Sequence, residues 1–400
     1  PLARESAVSP AGGSFIGMRI LHTSDWHLGR SFHGVGMLQA QHAFLDQLLE
    51  TVRREEIDAV LISGDVYDRA LPGVDVVRLL DEALAGITAA GARVVLTSGN
   101  HDSAARLGFG GRIFEQGGVH LRTGVDAIAS PVLLREGSAT VAVYGIPYLE
   151  PRLAAPELGA DVPPNHAGVL GEAVRRIRLD VQERREAGEP VLPVVMAHTF
   201  ASGGITSDSE RDLSVGGVGA VPLDLFSSFT YAALGHLHGR QELAPNVWYS
   251  GSPLPYSFSE ARQAKGGLLV ELGPSGLSGV TPVPWTAPKR LAVLRGTLQE
   301  LLEDPAHAHA EDAWCQVTLT DDSRPAKAME QIRTRFPDTL VLSFEPASGS
   351  RRVNESYSRR LARATDDLDV CCGFLDHVRS REASVEEREL LTEVLQKVNA

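Results

Sequence analysis

The sequence has little cysteine and no long apolar run. Only three cysteines occur in 400 residues, and two of them, Cys371 and Cys372, are adjacent and cannot form an ordinary structural staple. No disulfide framework is implied, so we expect a reducing, cytoplasmic compartment. No stretch approaches the roughly 18 apolar residues that span a bilayer, and no charged segment followed by a hydrophobic one opens the chain. We therefore expect neither membrane insertion nor export.

Basic side chains are also scarce, which restricts how the chain can bind nucleic acid. The 38 lysines and arginines are outnumbered by 51 aspartates and glutamates, and the formal net charge is -13. Phosphate binding needs local Lys and Arg side chains. Contact with DNA would therefore depend on bound cations, on a local arginine cluster or on the surface of a partner.

What the sequence does contain is an ordinary globular composition, with 43% hydrophobic and 22% charged residues. The length exceeds the roughly 250 to 300 residues at which a single core stops growing. We expect a disordered lead-in over residues 1–17, a large domain over 18–285, a small mixed domain over 286–365 and a helical segment over 366–400. The Pro-rich run from Pro282 to Pro288 predicts a linker before the small domain. Predicted helices from Met37 to about Glu56 and from about Asp75 to Ala90 join apolar runs, an alternation typical of a parallel α/β sheet.

Five short apolar runs each end at residues that can bind a metal. The runs are Arg19 to Thr23 before Asp25 and His27, Ala59 to Ser63 before Asp65, Val94 to Thr97 before Asn100, His101 and Asp102, Val194 to Ala197 before His198, and Ala232 to Leu234 before His236 and His238. Interpreted as buried strands, they predict that all these side chains lie beyond the carboxyl ends of one sheet. Open α/β folds place their active sites at this edge.

The residue types in this pattern suit a pair of divalent cations. Asp25 and His27 offer a carboxylate and an imidazole from one turn, and Asp65 can bridge two ions with its two oxygens. Asn100 adds a neutral carbonyl oxygen without further negative charge. Taken singly, each motif is more often a turn or a hydrogen-bonded histidine, but five in order favour a metal centre. The remaining eight histidines lack strand-end placement, and we interpret them as structural or solvent-exposed.

Motifs at these strand ends resemble the signature of the calcineurin-like metallophosphoesterases. They are Asp25-x-His27, Gly64-Asp65-x-x-Asp68-Arg69, Gly99-Asn100-His101-Asp102, His198 and Gly235-His236-x-His238. Two longer strings, Arg19 to Gly29 and Tyr249 to Leu254 with Phe258 and Glu260 after it, are similar to the SbcD family of bacterial nuclease subunits. The resemblance extends from Met18 to about Leu272, and more loosely to the C-terminal helices. It implies an α/β sandwich of two sheets flanked by helices, with a small α+β capping domain and a C-terminal helical tail.

The resemblance also implies a site. One metal would be held by Asp25, His27, Asp65 and His238, and the other by Asp65, Asn100, His198 and His236. Mixed oxygen and nitrogen ligands suit two Mn²⁺ ions, with Fe or Mg as alternatives. His101 would be catalytic, protonating the leaving oxygen, and Asp68 would be its orienting partner. Related archaeal and eukaryotic nucleases have a histidine at the position of Asp68, so a turn cap is the alternative role for Asp68.

The implied function is manganese-dependent cleavage of DNA, as a double-strand exonuclease and a single-strand or hairpin endonuclease. The implied partner is the SbcC ATPase, in a heterotetramer built on a homodimer of this chain, cytoplasmic and nucleoid-associated. DNA would be bound through its phosphate backbone by arginines near the ligands, unless these arginines merely pair with the excess carboxylates. The arginines are Arg30, Arg69, Arg106, Arg112, Arg211, Arg240 and Arg262.

Two predicted C-terminal helices, Asp367 to Arg379 and Val385 to Val398, would dock on SbcC, although ordinary packing helices have the same pattern. Two other functions fit parts of the sequence. The same ligand set would serve a phosphodiesterase or phosphatase acting on a small nucleotide or a phosphoprotein. A non-catalytic tethering subunit with a vestigial site is the third possibility, and the complete ligand set with His101 argues against it.

Overall fold

Two six-stranded sheets form the first of two compact units into which the chain divides, residues 1–290. The computed structural model describes residues 17–136, 139–210, 219–346, 367–379 and 383–398. All of the predicted lead-in except Gly17 lies outside the described residues, as does Arg211.

The first sheet has four parallel strands and an antiparallel hairpin at one edge. In chain order its strands are β1 (Met18–Thr23), β4 (Ala59–Ser63), β5 (Arg93–Thr97), β6 (Val119–Arg122), β13 (Gly266–Gly273) and β14 (Gly276–Pro284). The sheet order is β14-β13-β1-β4-β5-β6. Strand β4 is buried along its whole length, as expected for a central parallel strand with both faces covered.

The second sheet has four parallel strands between two antiparallel edge strands. In chain order its strands are β7 (Val132–Glu136), β8 (Ala139–Ile146), β9 (Leu192–His198), β10 (Tyr231–Gly235), β11 (Gln241–Ala244) and β12 (Val247–Tyr249). The sheet order is β11-β12-β10-β9-β8-β7. A separate two-stranded ribbon is formed by β2 (Ser31–Phe32) and β3 (Val35–Gly36).

The expectation that all five ligand-bearing strands share one sheet is wrong. Strands β1, β4 and β5 belong to the first sheet, whereas β9 and β10 belong to the second. Side chains of both sheets pack into one core between them, including Ile20, Leu61 and Val95 from the first and Val143 and Met196 from the second. An apolar run reports that a strand is buried, but it does not report which strand lies beside it. The site therefore lies where the ends of two packed sheets meet.

Helices cover the outer faces of this sandwich. They are α1 (Leu38–Arg54), α2 (Val74–Ala89), α3 (Ala104–Leu107), α4 (Gly111–Phe114), α5 (Pro151–Leu158) and α6 (His166–Glu186). Apolar residues of α5 and α6, such as Leu158 and Ile177, pack in one cluster with Tyr144 and Val195 of the second sheet. Within the described residues, no helix is long and apolar enough to cross a membrane.

The prediction that the Pro-rich run from Pro282 to Pro288 is a linker is partly wrong. Pro282 and Pro284 belong to β14, where they pair with Leu268 and Gly266 of β13. Proline cannot donate a hydrogen bond, but β14 is the edge strand of its sheet and has a partner on one side only. The edge position explains why two prolines are compatible with a strand here.

The second unit, residues 291–400, contains a three-stranded parallel sheet. Its elements are β15 (Leu291–Gly296), α7 (Leu298–Glu303), β16 (Trp314–Leu319), α8 (Ala328–Arg335) and β17 (Thr339–Phe344). A capping box of Thr297 and Glu300 starts α7, which the sequence analysis missed. The structure also has the helices Asp367–Arg379 and Val385–Val398 with the predicted bounds.

Candidate metal centre

The turns that follow the strand ends have unusual backbone conformations. Asp25, His27, Asp65 and His236 have positive φ angles of 54°, 44°, 48° and 110°. A non-glycine residue in the left-handed region costs about 1 to 3 kcal/mol, and such residues cluster at functional sites. Four of the predicted ligands are thus held in conformations that ordinary loops avoid.

One group of donors combines a carboxylate with two imidazoles. Donor atoms of Asp25, His27 and His238 lie within 4.8 Å of one another, and all three side chains are buried. His27 Nε2 and His238 Nε2 are 3.1 Å apart. Two imidazole nitrogens that face each other at this distance can share one proton, or both can offer lone pairs to a cation. The second arrangement matches a metal site built from histidines.

A second group lies beside the first and includes His198. His198 Nε2 is 2.9 Å from Asn100 Oδ1 and 3.4 Å from Asp65 Oδ2. On the other side of the ring, Nδ1 is 3.0 Å from the carbonyl oxygen of Ser63. A carbonyl oxygen only accepts, so Nδ1 carries a proton and Nε2 is the atom available to a cation. A hydrogen bond of this kind fixes the ring and the tautomer of metal-binding histidines.

Asp65 occupies the middle of the two groups. Its Oδ2 lies 3.6 Å from His27 Nε2, 3.4 Å from His198 Nε2 and 3.9 Å from His101 Nε2. Its Oδ1 accepts a hydrogen bond of 2.8 Å from the main-chain N–H of His101. The two oxygens therefore have different tasks: Oδ2 faces the imidazoles and Oδ1 anchors the loop of His101. A bridging role would fall mainly to Oδ2, rather than to both oxygens as the sequence analysis assumed.

His236 is placed beside these groups in a different way. Its main-chain N–H donates to Asp25 Oδ1 and Oδ2, at 3.0 and 3.1 Å, and the centroids of its ring and the His198 ring are 5.4 Å apart. The structure thus brings all seven predicted ligands together; six of them are buried and Asn100 is half-buried. The ring of His236 lies edge-on against the ring of His198.

The ionisation of the buried groups indicates a site that needs positive charge. Burial raises the pKa of Asp25 to about 6 and lowers the pKa of His27. Burial alone would lower the pKa of His198, but the carboxylates of Asp65 and Asp25 raise it to about 9. Burial alone would raise the pKa of Asp65. The neighbouring His198 and His27 outweigh burial and hold the pKa of Asp65 well below its usual range. The Asp65 carboxylate and the His198 ring therefore favour each other's charged form.

A divalent cation fits this donor set. It would supply the positive charge that otherwise depends on a proton, and it would satisfy the facing nitrogens of His27 and His238. Buried carboxylate oxygens, an amide oxygen and imidazole nitrogens are ligands that transition metals accept. The chemistry of the donors in this cluster of buried histidines and aspartates is therefore that of a divalent metal site.

His101 lies at the border of the centre, with its side chain 8% exposed. Its Nδ1 donates to the main-chain carbonyl oxygen of Asp68 at 2.8 Å, which leaves Nε2 on the side of Asp65. The carboxylate of Asp68 is 4.0 Å from His101 Nδ1 but 3.6 Å from His27 Nδ1 and 3.5 Å from Arg30 Nη1. Asp68 thus contacts the His101 ring through its backbone, and its carboxylate lies among four cationic or ionisable groups, the fourth being Arg69, whose Nε is 3.9 Å from Asp68 Oδ2.

Asp102 has a role that the sequence analysis did not assign. Its carboxylate accepts hydrogen bonds from the main-chain N–H groups of Val66, Tyr67 and Gly99, at 3.0, 2.9 and 2.9 Å. It therefore fastens the loop that carries Asp65 to the loop that carries Asn100 and His101. The position of Asp102 in the Gly-Asn-His-Asp motif indicates that it belongs to the site. Its partners are main-chain N–H groups, which nearly every residue has, so the sequence does not indicate which ones it contacts.

A buried ion pair supports His238 from behind. Lys265 Nζ is 2.5 Å from Glu260 Oε2 and also donates to the carbonyl oxygen of His238 at 2.8 Å. Glu260 Oε1 lies 3.3 Å from His238 Nδ1, and Ser209 Oγ contacts both groups. Burial alone would raise the pKa of Glu260, but His238 and Lys265 hold it well below the usual range. The sequence motif includes Glu260 without indicating its role, and no pattern in the sequence indicates Lys265.

Comparison with known proteins assigns a class to this fold and site. Residues 18–150 match the family described as calcineurin-like phosphoesterase, and residues 287–379 match the SbcD_C family, described as type 5 capsule protein repressor C-terminal domain. The chain therefore carries a calcineurin-like metallophosphoesterase domain, and the predicted fold class is confirmed. The phosphoesterase domain is followed by an SbcD_C-type domain, which supports likeness to the SbcD family.

The solved structures that the chain matches are distant from it in sequence. GAP50, the anchor in the inner membrane complex of Plasmodium, is 10% identical with a TM-score of 0.41, and the match covers 84% of this chain and 100% of that one. TT1561 of Thermus thermophilus is 12% identical with a TM-score of 0.36, covering 66% of this chain and 99% of that one. A dimetal phosphatase from Danio rerio is 12% identical with a TM-score of 0.37, covering 68% of this chain and 100% of that one.

Proposed function

We propose that this chain is a two-metal DNA nuclease of the SbcD type, acting with an SbcC ATPase in DNA repair and recombination. The proposal is carried by one observation: the seven predicted ligands and His101 lie together in the compact unit that contains the phosphoesterase match, and an SbcD_C-type domain follows that unit. Residues 286–365 would form the capping, DNA-binding domain, and residues 366–400 the segment that binds SbcC.

The proposed cofactors are two Mn²⁺ ions. One ion would be held by Asp25, His27, Asp65 and His238, and the other by Asp65, Asn100, His198 and His236. The mixed carboxylate, amide and imidazole donors support manganese or iron over calcium. When bound, two such ions would activate a water and stabilise the attacking and leaving oxygens of an in-line phosphoryl displacement.

His101 would be the catalytic acid. The hydrogen bond from its Nδ1 to the Asp68 carbonyl oxygen holds the ring with Nε2 towards Asp65. A protonated Nε2 in this orientation can donate to the oxygen that leaves the phosphorus, which neutralises its developing negative charge.

The arginines predicted to contact phosphates differ in how much they are engaged. Arg30 Nη2 donates to the carbonyl oxygen of Ser209, and its guanidinium lies 5.1 Å from the Tyr256 ring centroid, so it helps to hold a loop. Arg69 is 80% exposed in its side chain, which supports a role in contacting the DNA backbone.

A metal-titrated cleavage assay tests the proposal. Purified chain would be incubated with blunt double-stranded, hairpin and circular single-stranded DNA, with and without SbcC, and separately with a small chromogenic phosphodiester. We expect Mn²⁺-dependent cleavage of hairpin DNA that stops on chelation. Turnover of the small diester without any DNA cleavage would instead identify a small-molecule or nucleotide phosphodiesterase.

Binding to SbcC would use the two C-terminal helices. Phe374, Leu390 and Val394 are 52%, 62% and 48% exposed, so an apolar surface is available to a partner. Truncation after Thr365 should preserve metal-dependent nuclease activity and abolish co-purification with SbcC. The double change Leu390→Glu and Val394→Glu should have the same effect, whereas Glu393→Gln on the same helix should not. Retained binding in the truncated chain would rule out this docking site.

A homodimer through the nuclease domains is also proposed, and an exposed apolar patch supports it. Leu71, Val74, Phe109 and Ile113 are 72%, 70%, 82% and 71% exposed, and Arg106 Nη1 donates to the carbonyl oxygen of Ala70, which ties the two segments together. Exposed apolar side chains on two segments that a hydrogen bond joins favour burial against a second copy.

The double change Phe109→Glu and Ile113→Glu should convert the dimer to a monomer in light scattering coupled to size exclusion. Leu153→Glu is the matched control, because Leu153 is as exposed as Ile113 but lies on α5. A dimer that survives the double change would place the interface elsewhere.

A further inference from the structure

A polar cavity is lined by residues that follow the proposed ligand His238 in the chain. It has a volume of about 260 Å³, and its lining includes Arg240, Gln241, Gln263 and Thr206. Pockets that enclose a whole small molecule usually have about 300 to 1,000 Å³. This cavity is smaller and suits a single charged segment of a longer ligand. No acidic side chain lines it within the part of the chain that the structure describes.

The guanidinium of Arg240 is poorly compensated in this cavity. The residue is half-buried, and its Nη1 is shielded from solvent without a hydrogen-bond partner among the described residues. A shielded donor on a cation is costly to leave unpaired. An anionic ligand would remove that cost.

Gln263 supplies a neutral donor to the same cavity. Gln263 Oε1 accepts a hydrogen bond of 2.9 Å from Lys265 Nζ, which fixes the orientation of the amide and leaves Nε2 on the opposite side. A Cβ built on Gly239 would lie 3.3 Å from Gln263 Nε2, so this amide group is next to the backbone that carries Arg240. Nε2 makes no recorded hydrogen bond within the described residues. A shielded cation and an oriented amide donor that line one cavity form a small site for an oxyanion.

We propose that this cavity, which we name the Arg240 pocket, binds a phosphate group of the substrate strand next to the scissile one. The inference rests on the proposed nuclease function and adds a second anchor to it. Its lining has a cation and amides but no aromatic ring, so it recognises the phosphate and not the base. Such an anchor would keep the strand in register while the reacting phosphate lies at the metal centre. The phosphate comes either from an internal linkage or from a strand terminus.

The test compares Arg240→Gln with Arg53→Gln, a control that removes the same charge from an exposed position of α1. KM and kcat are measured on hairpin DNA and on the small chromogenic diester, which has no second phosphate. Loss of a hydrogen bond to a charged group should raise KM for DNA by about tenfold or more in Arg240→Gln. The change in KM for the small diester should be much smaller, and Arg53→Gln should resemble the wild type.

A neutral methylphosphonate placed at successive linkages locates the phosphate. At one linkage it should weaken the wild type as much as Arg240→Gln does, and it should have no further effect on Arg240→Gln. Comparison of 5′-phosphorylated with 5′-hydroxyl ends separates a terminal phosphate from an internal one. Additive effects at every position and both ends, or equal losses on DNA and on the small diester, would overturn the Arg240 pocket.

The same pocket can be tested apart from nuclease activity. Calorimetric titration of inorganic phosphate into chelator-treated protein should show binding in the wild type and in Arg53→Gln, and its loss in Arg240→Gln. If the wild type cleaves no DNA but this difference is present, the proposed nuclease function fails and the anion site stands. If phosphate binding is the same in all three proteins, the anion site fails.

Discussion

His101→Ala should reduce hairpin cleavage by about two to four orders of magnitude, the usual loss when a general acid is removed. The change removes the ring whose Nε2 faces Asp65 and whose Nδ1 donates to the Asp68 carbonyl oxygen. It keeps the main-chain N–H that donates to Asp65 Oδ1. The Asp65 loop should therefore stay in place, and both metal positions should remain filled.

Two measurements on the same protein separate catalysis from metal binding. Single-turnover cleavage at saturating Mn²⁺ gives the rate of the chemical step, and elemental analysis of the purified protein gives its metal content. His42→Ala is a suitable control, since His42 is exposed on α1 and lies outside the centre. Loss of metal together with activity would assign His101 to the ligands instead of to acid catalysis.

Lys265→Met should destabilise the protein by about 3 to 5 kcal/mol, the range found when one partner of a buried ion pair is removed. Glu260 is fully buried and Lys265 nearly so, with side-chain exposures of 0% and 5%. Without the ammonium, the Glu260 carboxylate would remain buried with only hydroxyl, main-chain and imidazole donors. The carbonyl oxygen of His238 would lose its donor as well.

Urea unfolding of the chelator-treated protein measures this change without a contribution from bound metal. The double variant Glu260→Gln and Lys265→Met removes both charges and should recover much of the lost stability. Lys397→Met is the control, because Lys397 pairs with Glu393 at an exposed position and its loss should cost at most about 1 kcal/mol. Equal unfolding free energies of wild type and Lys265→Met would contradict a supporting role for the pair.

The sequence predicted individual elements better than their assembly. Strands such as β4 were predicted with their observed bounds, because a fully buried strand must be a continuous apolar run between turn residues. The division of five such strands between two sheets was not predictable, since an apolar run has no record of its neighbours. The same limit explains β14, whose prolines indicate a linker until the edge position is known.

The candidate site shows a similar boundary between what pattern reveals and what contact reveals. The seven proposed ligands follow apolar runs. Because the carboxyl ends of parallel strands lie at one edge, the sequence predicts that these ligands meet there. Asp102 and Lys265 act through main-chain groups of Gly99 and His238, and such groups are present at every residue of the chain. Only the folded geometry selects which carbonyl or N–H they contact, and this is why their roles emerged from the structure.

The origin of the donors in two sheets has a consequence for folding in the cell. Asp25, His27 and Asp65 follow strands of one sheet, whereas His198 and His238 follow strands of the other. A cation held between them would link the two sheets of the sandwich. Because it would bind only the folded chain, a higher free concentration of the cation would raise the folded population. Scarcity of that ion would then lower the amount of folded protein, through unfolding and degradation, as well as the fraction of metal-loaded sites.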